Sequence, residues 1–379
     1  MTVIVVGAGI VGASVAFRLA AAGAEVTLLD AGRPGGGTSA ATFAWINANS
    51  KGPFAYHLLN VCGMAEHLTL CRELEDSSWL HQSGNIEWAA GEQGEAALRA
   101  RTERLRAWGY PVERLVRREI HSLEPDVALP DSVEEAVLFP TEGYVDVLPL
   151  VGALVAAARR AGARVMAGTP VVEITRTGDR VTGVVAADGS RLAADRVVSC
   201  VGHRTAALAR LAGVTVSAGG VPGLSLYTHA APVRLRAIVH TPEISLRPDG
   251  GGRFIVRAAE FDAGVAEDAA VWPLPAAAEI LMARATAVLP GLAGTPVEAA
   301  RVGVRPMPDD EYPLVGPAPG CDGFYVVCTH SAVTLGPLLG RLAAREILDD
   351  VVDERIAPYR LGRPAIASGA DRTDEPQHT

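Results

Sequence analysis

Apolar positions along the chain fall into runs whose period changes from segment to segment, and the first thirty residues set the pattern. Val3 to Val6 is an unbroken β-branched run, as expected of a strand buried on both faces. Glycines follow at Gly7, Gly9 and Gly12, and Val15, Ala16, Leu19 and Ala20 then take up a helical period. Gly23 closes that helix, and Val26 to Leu29 is a second buried strand ending in Asp30. The same reading predicts helices over 54–74, 94–108, 148–161, 276–289 and 335–348. It predicts strands over 86–90, 112–116, 164–167, 197–201, 297–305 and 324–328, with a turn and short strand at 141–146. The turns Gly178-Asp179 and Asp188-Gly189 make 170–193 a small meander. From 219 to 256 the pattern is strand-rich with Pro/Gly turns, an antiparallel sheet of a separate domain. The tail from Arg363 is polar and expected to be disordered.

Composition narrows the class. A chain of 379 residues suggests two domains, and 49% apolar with 20% charged residues is the profile of a globular enzyme. A net charge of −9 and a pI near 5.5 argue against nucleic acid or an anionic membrane surface as partner. No apolar run approaches the roughly 20 residues of a membrane span, and the N-terminus enters a strand without a basic leader. The five cysteines contain no CxxC pair and read as reduced thiols of a cytoplasmic protein. The nine histidines form no HxxxH or HExxH cluster, so no metal is expected.

The glycines of the first unit have separate reasons. Gly7 suits a tight turn, Gly9 a backbone approach to a pyrophosphate, and Gly12 close helix–strand packing. The amides of Ile10 and Val11 then stand at a helix N-terminus, which favours phosphate. Asp30, 18 residues after Gly12, is placed to accept hydrogen bonds from a ribose diol, with Ala31 and Arg33 beside it. Thr38 is expected to cap a short helix through its hydroxyl. A complete strand–turn–helix–strand–acid unit of this kind points to a dinucleotide.

From Val3 to about Leu348 the chain resembles the FAD-dependent amino-acid oxidoreductases of the D-amino-acid oxidase, glycine oxidase and sarcosine oxidase group. Four segments carry the resemblance. The first is the N-terminal unit, with Asp30 where the group more often has Glu. The second is Thr38-Ser39 and the run after it. Here the resemblance implies that Thr38 and Ser39 bind pyrophosphate, and that Phe43, Ala44 and Trp45 approach the isoalloxazine, against plain core packing for Trp45. Asn47 and Asn49 are open between pocket and capping roles. The third segment places Val172 against adenine and Gly202, at the end of the 197–201 strand, against the dinucleotide. The fourth is Gly303-Val304-Arg305-Pro306, where the arginine clamps a substrate carboxylate, and the turn Thr329-His330-Ser331-Ala332-Val333-Thr334-Leu335-Gly336 over the flavin pyrimidine. A guanidinium fork suits a carboxylate physically. His330 is expected near the cofactor without an implied role as base. Val302 to Val304 and Met307 stand where relatives attach FAD through cysteine, so non-covalent FAD is expected.

The resulting expectation is an α/β fold. A Rossmann-like FAD domain is assembled from 1–80, 147–217 and 306–362, with an α+β substrate domain of 81–146 and 218–305 carrying an antiparallel or mixed sheet. The expected reaction is oxidation of a small amino acid or secondary amine bearing a carboxylate, by hydride transfer to flavin N5. Oxygen or another acceptor then reoxidises the flavin. Arg305, Trp45 and His330 are the candidate catalytic residues. Three alternatives stand beside it. One is a 2-hydroxy-acid oxidoreductase with His229 or His330 as base, another an NAD-dependent dehydrogenase, and the third a flavin-carrying subunit of a larger complex. Oligomeric state is not legible.

Overall fold

The computed structural model describes residues 1–262 and 275–366. Its first sheet has six strands in the order Leu314–Pro317, Phe324–Cys328, Arg196–Ser199, Thr2–Val6, Glu25–Leu29 and Arg164–Met166. All neighbours run parallel except the Leu314–Pro317 edge. Val3 pairs with Val26 on one side and Arg196 on the other, so the chain leaves Thr2–Val6 in one direction and returns on the opposite one. That switch point opens a crevice at the carboxyl ends of the strands.

Alternate residues of Thr2–Val6 enter different cores, which is why the run shows no polar break. Val3 and Val5 pack with the Ile10–Ala21, Val147–Arg160 and Ala332–Asp349 helices. Ile4 and Val6 pack with the meander Val171–Thr177, Arg180–Ala186 and Arg191–Ala193 and with the Thr205–Leu211 helix.

The second sheet has eight strands, ordered Val297–Pro308, Ala218–Thr228, Phe254–Arg257, Ser245–Pro248, Ile238–His240, Asn85–Glu87, Glu135–Phe139 and Glu113–Val116. It is antiparallel except where Ile238–His240 runs beside Asn85–Glu87. A third, small sheet joins Trp45–Ile46, Gly143–Val145 and Leu80–His81.

Several expectations need correction. The Val297 strand does not stop at Pro306 but continues to Pro308, and an edge strand tolerates the missing N–H. The expected 86–90 strand ends at Glu87. The last helix begins at Ala332, not near Gly336, and holds Pro337 inside it. Proline cannot bond the carbonyl four residues back. That carbonyl belongs to Val333, and the ring of His67, from the Phe54–Leu74 helix, takes it through Nε2 at 2.8 Å. The tail is not free at its start. Arg363 pairs with Asp310 at 2.7 Å, and the Ile366 amide donates to the same carboxylate. The remainder of the expected tail, 367–379, lies outside the described residues, as does 263–274.

Candidate active site

A cavity of about 1090 Å³ occupies the crevice at the switch point, just above the roughly 300–1,000 Å³ typical of small-molecule sites. Its wall brings together Gly7, Gly9, Ile10, Val11, Asp30, Ala31, Arg33, Thr38, Ser39, Phe43, Ala44, Trp45, Val172, Gly202, Arg305, His330, Ser331, Ala332, Val333 and Thr334. Gly12, Leu335 and Gly336 are absent from that wall, a correction to the expected cofactor set. A Cβ on Gly12 would stand 1.8 Å from the Gly7 carbonyl oxygen, and one on Gly336 3.3 Å from Ile10 Cγ1. Leu335 is fully buried in the helical core. These three set how closely helices and strands pack.

Gly9 differs from its neighbours. Its backbone is extended, with φ −72° and ψ −175°, and a Cβ there would meet only Ser39 Oγ, at 3.3 Å. The fold therefore asks nothing of Gly9, and the glycine leaves open the space between the Ile10–Ala21 helix and Ser39. Ser39 Oγ accepts from the Ile10 amide at 3.3 Å. Thr38 does not cap the Thr38–Ala41 turn as expected, because its hydroxyl donates to the Val304 carbonyl of the second sheet. Gly303 permits that approach, since a Cβ there would lie 2.6 Å from the Ala41 carbonyl oxygen.

Asp30 takes the Ala8 amide on one oxygen at 2.7 Å and the Gly32 amide on the other at 2.8 Å. It therefore shapes the two loops around it, while the second lone pair of each oxygen is left for a hydroxyl donor. The wall as a whole is cationic. Arg33, Lys51, Arg204, Arg257 and Arg305 line it against Asp30 as the one carboxylate among the described residues, in a chain whose net charge is −9. Such a wall suits an anionic ligand.

At the second sheet, Arg305 and Arg257 converge on Asp262 at 2.8 and 2.9 Å, and both line the cavity. Asp262 also accepts the Leu224 amide at 2.9 Å. A Cβ on Gly223 would stand 3.3 Å from Arg305 Nε, so glycine makes room for the guanidinium. Two guanidiniums thus share the Asp262 carboxylate at the cavity wall. Asp262 was not foreseen, because no local spacing connects it to Arg305. His229, Arg234 and Arg253 are not in the wall and are solvent-exposed.

Behind Trp45 lies a second group that sequence reasoning missed. Glu142 is fully buried and accepts from Trp45 Nε1 at 3.1 Å and from the amides of Ala48 and Asn49. It also accepts from the Asn49 and Asn85 side chains and, at 2.7 Å, from the Tyr110 hydroxyl. Asn47 reaches the wall, whereas Asn49 turns to Glu142 instead. Its neighbour Ala44 adopts φ 60°, a conformation that costs a non-glycine residue about 1 kcal/mol. Burial pushes the Glu142 carboxyl up to about 7 from 4.5.

Linkage fixes the sign of the effect. The folded chain holds the Glu142 proton up to about pH 7, and the unfolded chain releases it near 4.5. The contribution of this group to stability is therefore full below 4.5 and lost as pH rises through 7. Glu142→Gln has no such proton. Thermal unfolding at pH 5 and pH 8 should show wild type losing stability with rising pH relative to the variant.

The last segment completes the wall. Ser331 Oγ pairs with the Tyr56 hydroxyl at 2.9 Å, and Thr334 Oγ1 accepts from the Asn47 amide at 3.3 Å. Thr329 Oγ1 lines the cavity, is buried, and has no hydrogen-bond partner among the described residues. A buried orphan hydroxyl, a spare glycine and a cationic wall fit a large anionic cofactor such as FAD.

A family profile described as DAO, FAD-dependent oxidoreductase, matches residues 2–346. The chain belongs to that family. Glycine oxidase of Geobacillus kaustophilus (strain HTA426) is 27% identical to this DAO-family chain over 379 residues, covering 95% of it and 96% of the relative. The crystal structure of glycine oxidase from Geobacillus kaustophilus superposes with a TM-score of 0.82 at 25% identity, covering 96% of this chain and 98% of that one. L-proline dehydrogenase from P. horikoshii shares the fold at 18% identity, with a TM-score of 0.84 over 95% of this chain and 96% of that one. The DAO-family chain is thus an FAD-dependent oxidoreductase. No helix among its described residues is long and apolar enough to cross a membrane, and no cluster of side chains there could hold a metal.

Proposed function

We propose that this chain oxidises the C–N bond of a small amino acid or secondary amine bearing a carboxylate, using non-covalently bound FAD. The observation that carries the reading is the meeting of Arg257 and Arg305 on Asp262 in the cavity wall, which sets two guanidiniums where a substrate carboxylate can be received. When bound, FAD accepts a hydride at N5 from the carbon next to nitrogen, and water hydrolyses the imine product.

The protein's own work is placement. Gly9, Ile10 and Val11 would face the pyrophosphate from the start of the first helix and Ser39 from the Thr38–Ala41 turn, with Gly7 shaping the loop. Asp30, Ala31 and Arg33 would hold the ribose, Val172 would lie against adenine, and Gly202 would lie against the dinucleotide. Phe43, Ala44 and Trp45 would stand beside the ring. His330 to Thr334 line the cavity at the N-terminus of the Ala332–Asp349 helix, which would face the pyrimidine edge. Arg305 binds the substrate carboxylate in a fork that cannot lose its proton. Segments 1–80, 147–217 and 306–362 act as the FAD-binding unit, and 81–146 and 218–305 as the substrate-binding unit. Oxygen or another acceptor takes the electrons, and five unpaired thiols accord with a cytoplasmic setting.

Cys200 and Cys328 line the cavity, but burial pushes both thiols up, Cys328 to about 11, so neither is a ready nucleophile. Acid precipitation should therefore release all the yellow colour into the supernatant as FAD, and colour kept in the pellet would contradict non-covalent binding. Glycine, N-methylglycine or proline should yield an oxo acid or cyclic imine on turnover. If only 2-hydroxy acids are consumed, the amine reading fails and His330, which lines the cavity, becomes the candidate base.

A further inference from the structure

Lys51 is the only lysine in the sequence, every other member of its 34 Lys and Arg residues being arginine. It is 7% exposed and lines the cavity. Lysine is among the residues least often buried, because its compact ammonium is strongly hydrated. A chain that uses arginine at every other cationic position has kept one ammonium and placed it in its active-site cavity.

The surrounding contacts define which part of the cavity it serves. The Asn47 amide donates to Thr334 Oγ1 at 3.3 Å, and the Lys51 amide donates to the Ala48 carbonyl at 3.3 Å. Ser50 Oγ donates to Asn47 Oδ1 at 3.2 Å, and the Tyr312 hydroxyl donates to the Gly52 carbonyl at 3.1 Å. The 47–52 segment is thereby fixed to the first turn of the Ala332–Asp349 helix, where the Tyr56 hydroxyl pairs with Ser331 Oγ at 2.9 Å. Thr329 Oγ1, orphaned and buried, lines the same cavity just ahead of that turn. Lys51 and a helix N-terminus therefore stand in adjoining parts of the cavity wall.

We propose that the Lys51 ammonium lies against the pyrimidine edge of bound FAD and stabilises the negative charge that this edge gains on reduction. The inference rests on the placement of FAD proposed above, and not on which substrate supplies the electrons. A helix end offers about half an elementary charge, and a lysine ammonium in the wall would add to it at the place where charge develops.

Sulfite tests this without turnover. Its sulfur lone pair forms a bond to flavin N5, and the displaced electron pair becomes negative charge on the pyrimidine edge, so no further oxidant or reductant is involved. In the holoenzyme, Lys51→Met should raise the sulfite Kd at least tenfold, and Lys51→Arg should keep it within about threefold of wild type. A Lys51→Met holoenzyme that binds sulfite as wild type does would overturn the inference. Should Lys51→Met retain no FAD, reductive methylation of wild type replaces it, since Lys51 and the N-terminus are the only amines. FAD should protect Lys51, relative to stripped protein shown to rebind FAD, and equal reactivity in both states would overturn the inference. A chain that no amine reduces but that shows these patterns would sink the substrate reading alone.

Discussion

Arg305→Met is expected to lower kcat/KM for carboxylate-bearing amines by about two to four powers of ten while FAD stays bound. Hydrogen bonds to charged groups contribute about 1.5–3 kcal/mol each, and losing a bidentate pair removes two of them. Arg305 is already held by Asp262 at 2.8 Å and by the Pro222 carbonyl at 3.1 Å, so its fork is oriented before substrate arrives. Arg257 stays on Asp262 in the variant, which keeps the carboxylate paired and the fold intact. Arg305→Lys should recover only part of the loss, because a point charge lacks the fork. Decarboxylated amines should be poor substrates of wild type and lose far less on mutation. If Arg305→Met keeps near-normal turnover, the clamp is Arg257, since Arg234 and Arg253 lie outside the cavity wall.

Gly9→Val is expected to yield a folded, colourless protein. The extended backbone at Gly9 accepts a β-branched residue. What a valine fills is the cavity beside Ser39, the space argued for the pyrophosphate. Gly12→Ala makes the contrast, since its methyl would drive into the Gly7 carbonyl and disrupt the fold itself. Circular dichroism with flavin absorbance separates the two cases. A folded Gly9→Val protein with full flavin content would mean that the dinucleotide lies elsewhere.

The parts of this molecule legible in the sequence are those whose cause is local. Val3 to Val6 is apolar throughout because its two faces enter different cores, and the glycine turn follows within six residues. The Phe54–Leu74 helix was readable to the residue. What escaped depends on partners distant in the chain. Glu142 draws its donors from Trp45, Ala48, Asn49, Asn85 and Tyr110, five positions with no shared spacing. Pro337 signals the end of a helix, yet His67 compensates for its lost bond from another element. Thr38 has the chemistry of a cap and spends it across the sheet interface on Val304. Arg305 was identified by resemblance alone, and the Asp262 that orients it lies 43 residues earlier.

The central claim is that a carboxylate-bearing amine reduces the FAD of this protein directly. Its most direct test is the visible flavin absorbance under anaerobic conditions, as glycine, N-methylglycine, proline and D-amino acids are added in turn beside 2-hydroxy acids and decarboxylated amines. The account predicts that at least one carboxylate-bearing amine bleaches the flavin band stoichiometrically, and that its decarboxylated counterpart does so far more slowly. Bleaching by 2-hydroxy acids alone, or by no member of the panel while dithionite still reduces the flavin, would contradict it.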